Sequence, residues 1–116
     1  EDEAQPELLA SLLAHGSPWE LFVAEVAGEV AGFVALRLNQ ETLVGEIGLN
    51  AVHPDHAGQG IGTAMYEFAL SRMKAGDMRA ATVATGGDES HAPARRAYRK
   101  AGFARQIPSV WMCREL

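Results

Sequence analysis

Apolar and polar positions alternate through much of the first half of the chain and recur at three- to four-residue spacing in parts of the second. Pro6 followed by Leu8, Leu9, Leu12 and Leu13 has the spacing of a short amphipathic helix, with proline in its first turn and Gly16 as its stop. Residues 21–26 predict a strand, Ala27-Gly28-Glu29 a turn, and residues 30–38 a second strand, together a hairpin. Residues 39–42 turn the chain again and residues 43–52 form a third strand. Strict alternation there puts Glu46, Gly48 and Asn50 on one face and Ile47, Leu49 and Ala51 on the other. A glycine-rich loop follows. Beyond it Ile61, Ala64, Met65, Phe68, Ala69 and Arg72 fall at helical spacing, and Gly76 ends that helix. Residues 79–85 predict a strand, 86–91 a loop, 92–101 a helix with Pro93 early and Gly102 just past its end, and 110–114 a last strand. The order α-β-β-β-α-β-α-β is a meander followed by strand-helix-strand crossovers. It predicts an α/β (α+β) domain with a mixed sheet and helices on its faces.

Composition narrows the picture only in places. At 116 residues the chain is sized for one domain spanning residues 1–116. A net charge of -5 argues against a nucleic-acid partner. The apolar runs are too short for a membrane span, and no basic-then-apolar targeting segment stands at the front. The single cysteine, Cys113, allows no internal disulfide, which points to a reducing, cytoplasmic setting; its place in a strand pattern suggests a packing role. The chain opens Glu1-Asp2-Glu3 without an initiating Met, as a processed or partial form of something longer would.

The chemistry concentrates in His53-Pro54-Asp55-His56-Ala57-Gly58-Gln59-Gly60-Ile61-Gly62-Thr63. A P-loop needs Lys and Ser/Thr directly after its last glycine, and here no lysine occurs before Lys74. A dinucleotide loop needs G-x-G-x-x-G in a tight turn straight after its strand, whereas the spacing here is G-x-G-x-G with residues 53–57 intervening. A third reading fits: several backbone N–H groups and a helix N-terminus converge on one point and hold a pyrophosphate without a cationic side chain. Glycine lets the phosphate oxygens approach, and some of these positions need positive φ. A plain strand-to-helix turn is the alternative, for which one glycine would be enough.

Residues 57–62 resemble the acetyl-CoA loop of the GNAT superfamily of N-acetyltransferases, Gln/Arg-x-x-Gly-x-Gly/Ala, with Ala57 where Gln or Arg is usual. The block HAPARRAYRKAGF resembles the family's later motif, Asn-x-x-Ala-x-x-x-Tyr-x-x-x-Gly-Phe, on His91, Ala94, Tyr98, Gly102 and Phe103, with His91 in place of Asn. The resemblance runs from Leu21 to the C-terminus. It implies a mixed, mostly antiparallel sheet with splayed parallel central strands and helices on both faces. It makes residues 2–15 the family's second helix, with the first strand and helix missing. It also implies acetyl-CoA as cosubstrate, held by Ala57, Gly58, Gln59, Gly60, Ile61, Gly62 and Thr63. The pantetheine arm would pair with Asn50, Ala51 and Val52 and pass His91, Ala94 and Tyr98.

Acetyl transfer from a thioester to an amine needs a deprotonated amine, donors for the developing oxyanion and a proton for the departing thiolate. Tyr98 is the candidate acid, since a phenol is a sensible donor to sulfur; a core tyrosine with its hydroxyl at the rim is the alternative. Glu46, where histone-type members carry a catalytic glutamate, is the candidate base; a solvent-facing strand residue is the alternative. His53, Asp55 and His56 lack a third strong ligand at fixed spacing, so no metal is assigned. Arg95, Arg96, Arg99 and Lys100 read as a solvated helix face from which one cation could meet the 3′-phosphate of CoA. The resulting expectation is an N-acetyltransferase acting on a small-molecule or peptide amine, and the rival is a non-catalytic acyl-CoA-binding or sensing domain. An exposed sheet edge further predicts a homodimer, or a disordered segment, near the hairpin of residues 21–38 or the final strand.

Overall fold

The computed structural model describes residues 16–85, 87 and 89–116, so the helix expected after Pro6 lies outside the described residues. The elements are β1 (Trp19–Val26), β2 (Glu29–Asn39), β3 (Val44–Val52), α1 (Ile61–Ala75), β4 (Ala80–Val83) and α2 (Ala92–Lys100), with 3₁₀ turns at Pro54–His56 and Glu89–His91. Among the described residues the expected elements form with boundary shifts of one or two residues, apart from the last strand. Ala27 at φ 53° and Gly28 at φ 83° close the first hairpin; positive φ at both central residues matches the twist of the flanking strands.

The sheet runs β1-β2-β3-β4, antiparallel except for β3 and β4, which are parallel. α1 crosses between those two parallel strands and buries Ile61, Met65, Tyr66, Ala69 and Met73 against Ala31, Val34, Leu36 and Ile47. Leu36 and Val34 are almost wholly buried, and each such side chain contributes about 1.5–3 kcal/mol. Helix and sheet approach closely because β3 is small where they meet: a Cβ on Gly45 would lie 2.5 Å from Met73 Sδ. The buried stripe is rotated from the one the spacing suggested. Ala64 and Arg72 are exposed, and Phe68 packs edge-on to Phe22 at the margin, 4.8 Å between centroids. Arg72 instead reaches β1, where its hydrogen bond holds the Glu20 carboxyl below the usual carboxylate range.

The alternation expected along β3 does not hold. Val34 pairs with Asn50 but Leu36 with Ile47, so Gly48 and Leu49 together stand opposite Ala35, a β-bulge. Before the bulge Gly45 and Ile47 face α1; after it Asn50 and Val52 do. Glu46 and Gly48 therefore do not share a face with Asn50. They lie on the opposite face beside Arg37 and Trp19, and a Cβ on Gly48 would sit 2.6 Å from the Trp19 ring. That face carries no helix among the described residues.

The strand expected at residues 110–114 is absent. After α2 the chain turns at Gly102, and Val110, Trp111 and Met112 are at least 84% exposed. Cys113 is exposed rather than packed. The apolar residues there run consecutively, so they define no single face for a sheet to bury.

Candidate active site

The loop leaving β3 is held at both ends. His53 N–H donates to the Ala31 carbonyl at 2.7 Å, and the His53 ring accepts from Asp55 N–H at 3.0 Å, setting the 3₁₀ turn. Ala57 N–H then donates to the Pro54 carbonyl at 3.2 Å. Gly58 and Gly60 both take positive φ, 78° and 81°, and a Cβ on either would meet nothing within 4 Å. Gly62 has no such φ, so two of the three glycines are required by conformation and the third is not.

Gly60 is the N-cap of α1; its carbonyl accepts from Ala64 N–H at 3.0 Å. The N–H groups of Gly60, Ile61, Gly62 and Thr63 consequently have no acceptor within the helix. No side chain caps this end and no acidic residue occupies its first turn. A bare, positively polarised helix end thus faces open space, the arrangement that suits an anion.

That space is a cleft of about 560 Å³. Ala57, Gly58, Gly60, Ile61, Gly62 and Thr63 form one wall, Pro93, Ala94 and Ala97 of α2 the other, and Val52, His56 and Tyr66 complete it. The structure thereby gathers most of the loop residues singled out by sequence, together with Ala94 and Val52. Gln59 turns to the His56 ring instead, 3.4 Å away, and Asn50, Ala51, Tyr98 and exposed His91 are not part of the lining. Sequence reasoning missed His56, considered only as a metal ligand, and Tyr66, whose signal was a polar-tipped aromatic one residue after Met65 in the buried stripe. A smaller depression of about 300 Å³ between β1 and α1 is lined only by apolar side chains such as Phe22, Met65 and Phe68, with none to orient a polar ligand.

Val52, in the cleft's lining, ends a stretch of β3 along which the sheet opens. β4 pairs with β3 from Val44 and Ala80 as far as Ile47 and Val83, so residues 48–52 have no partner on that side among the described residues. Asn50, in this stretch, joins two tyrosines. Tyr66 Oη donates to Asn50 Oδ1 at 2.9 Å, and Asn50 Nδ2 donates to the Gly48 carbonyl at 2.9 Å and to Tyr98 Oη at 3.3 Å. The tyrosine rings pack with centroids 5.1 Å apart, and Phe103 supports Tyr98 from behind. Burial pushes the Tyr66 phenol well above the ordinary tyrosine range, and adjacent Tyr98 adds to the effect.

Glu46 lies across the sheet from this group, ion-paired with Arg37. The pair is close but misaligned: neither Arg37 Nε nor Glu46 Oε1 makes a hydrogen bond, although both atoms are shielded from solvent. Among the described residues no group of three His, Cys, Asp or Glu is placed to hold a metal; His56 lies 3.4 Å from Glu29 and His53 3.9 Å from Asp55. No helix of the described residues is long and apolar enough to cross a membrane.

Comparison with known proteins agrees with this geometry. Solved structures with the same fold include an aminoglycoside antibiotic 6′-N-acetyltransferase from Acinetobacter haemolyticus, at TM-score 0.76 and 15% identity over 100% of this chain and 83% of that one. A putative acetyltransferase of the GNAT family from Desulfovibrio desulfuricans superposes at TM-score 0.81 with 24% identity, covering 90% of this chain and 68% of the other. An aminoglycoside N-acetyltransferase in complex with CoA gives TM-score 0.77 at 11% identity, over 97% and 88%. A comparison with curated protein sequences gives no match. The profile described as "Acetyltransferase (GNAT) family" matches residues 1–103, and the chain belongs to that family.

Proposed function

We propose that this protein is an N-acetyltransferase that moves the acetyl group of acetyl-CoA to a primary amine by direct attack in a ternary complex. One observation carries the reading: the glycine cradle at the start of α1 opens into a cleft that Tyr66 and Val52, the last residue of the unpaired stretch of β3, help to line. The cradle fits a pyrophosphate. Side chains at Gly58 or Gly60 would project into open space, and the free N–H groups of Gly60, Ile61, Gly62 and Thr63 supply donors without a cationic side chain. Ala57 and Gln59 complete the loop. Asn50, Ala51 and Val52 offer backbone groups on the open edge for the amide-bearing arm, while Ala94 flanks it. His91, exposed at the start of α2, is a contact at the cleft's outer rim.

Acetyl-CoA, when bound, supplies the acetyl group as a thioester. Tyr98 holds a proton at Oη for the leaving sulfur. Glu46 belongs to the acceptor side in this reading. An amine approaching from the far face meets the Glu46 carboxylate beside Arg37, a side chain that is 36% exposed and can draw the cation and take its proton through water. The acceptor is a small molecule or the amine of a peptide. The aminoglycoside-modifying structures share the fold at 11–15% identity, which supports the reaction class and leaves the acceptor to experiment.

A thermal-shift titration with acetyl-CoA, CoA, NAD and ATP, followed by turnover on an amine panel, tests this. A hundredfold excess over Kd stabilises by about 2.7 kcal/mol, so acetyl-CoA and CoA should raise Tm clearly and the nucleotides lacking pantetheine should not. A shift with NAD or ATP alone contradicts the cradle assignment. A shift with CoA but no transfer to any amine favours a binding or sensing domain.

A further inference from the structure

Tyr66 and Tyr98 are the only tyrosines of the chain, and both meet one side-chain amide. The direction of each hydrogen bond follows from a single atom. The Gly48 carbonyl can only accept, so the Asn50 atom 2.9 Å away must be the amide nitrogen, which fixes the orientation of the whole amide. The nitrogen's second proton is then aimed at Tyr98 Oη, which accepts it. Asn50 Oδ1 can only accept, so Tyr66 must donate to it. Asn50 therefore takes the Tyr66 proton in a hydrogen bond and takes none from Tyr98. The β-bulge makes the arrangement possible: it turns Asn50 to the α1 side and leaves the Gly48 carbonyl within reach.

The geometry points to Asn50 as a positioning residue whose side chain makes Tyr98, and not Tyr66, the proton donor of the reaction. This inference rests on the acetyl-transfer reading above. In that reaction the amine nitrogen bonds to the acetyl carbon, the carbon–sulfur bond breaks, and the sulfur takes the Tyr98 proton. The amine's surplus proton leaves to the acceptor side, and Tyr98 regains one from water. An N–H aimed at Tyr98 Oη keeps that oxygen in the accepting role, leaving its proton for the sulfur, and faces the charge that develops there.

Asn50→Asp and Asn50→Ala test the inference together. Aspartate keeps the size but only accepts, so Tyr98 must donate to it and its proton becomes committed. Alanine leaves Tyr98 unoriented but uncommitted. The expected order is Asp slower than Ala, with kcat in Asn50→Asp down about tenfold to a hundredfold and CoA Kd within about threefold of wild type. The aspartate oxygen that replaces Nδ2 would also face the Gly48 carbonyl, so a purely structural role gives the same order and turnover alone does not decide. A readout independent of turnover comes from ¹³C-tyrosine labelling, which yields just two ring Cζ signals. The Tyr98 signal, assigned with Tyr98→Phe, should move downfield in Asn50→Asp as the phenol changes from acceptor to donor. An unmoved signal, or Asn50→Ala as slow as Asn50→Asp, overturns the inference. Full turnover in Tyr98→Phe overturns it too, by removing the acid role. Absence of transfer by the wild-type chain instead defeats the acetyl-transfer reading, while the Cζ shift still decides the bond direction.

Discussion

From residue 44 to 47, β3 is paired on both sides, to β2 and to β4, whereas from 48 to 52 its pairing among the described residues is to β2 alone. The first half is built for packing. Gly45 lets Met73 sit against the strand, Ile47 is 4% exposed in the core, and only Glu46 on the far face carries a charge. The second half is built for access. Its outer edge is open, its helix-facing residue is the polar Asn50, and its end runs into the glycine loop. One inserted residue separates the two halves by changing which side chains look at α1. Placing a polar side chain over an apolar helix would otherwise require a polar position inside the core. The bulge moves it to the rim, where Tyr66 and Tyr98 satisfy it.

The same contrast decides what could be read in advance. The loop was legible because alternate glycines before a helix have a local physical meaning, and Gly58 and Gly60 do adopt positive φ. Tyr98 was legible as an inward position on α2 because the period of a helix survives without tertiary information. The face of Asn50 was not. A bulge changes register without changing composition, and its signal, a glycine inside a strand, also marks close approach, as at Gly45. Glu46 was misplaced relative to Asn50 for that reason. The tail failed differently: Val110, Trp111 and Met112 have strand propensity, but a strand forms only where pairing and burial of one face coincide.

The largest expected effect on the packing half is that of Gly45→Ala. Its Cβ would meet Met73, so urea unfolding should show a loss of about 1–3 kcal/mol while CoA Kd stays within about twofold. A large loss of affinity instead would mean that the two halves are not separable. Glu46→Gln should do less to stability, under about 1 kcal/mol, because the pair with Arg37 is more than a third exposed. Turnover should nonetheless fall about tenfold at unchanged CoA Kd under the proposed role of the carboxylate as the amine's base. Unchanged turnover in steady-state assays would remove Glu46 from the reaction.

The most direct test of the central claim, that the loop glycines serve an anion rather than a turn, is Gly62→Ala measured by thermal unfolding and by CoA titration on the same preparation. Gly62 needs no positive φ, and a Cβ there would meet only Val52 Cγ2, at an ordinary 3.8 Å. Alanine in a helix is favoured over glycine by up to about 1 kcal/mol, so the chain should fold as stably as wild type or slightly more so. The added methyl should still hold phosphate oxygens off the helix end, weakening CoA binding about tenfold, or about 1.4 kcal/mol. Undiminished affinity in the more stable variant would show that the cleft does not use this helix end as a cradle.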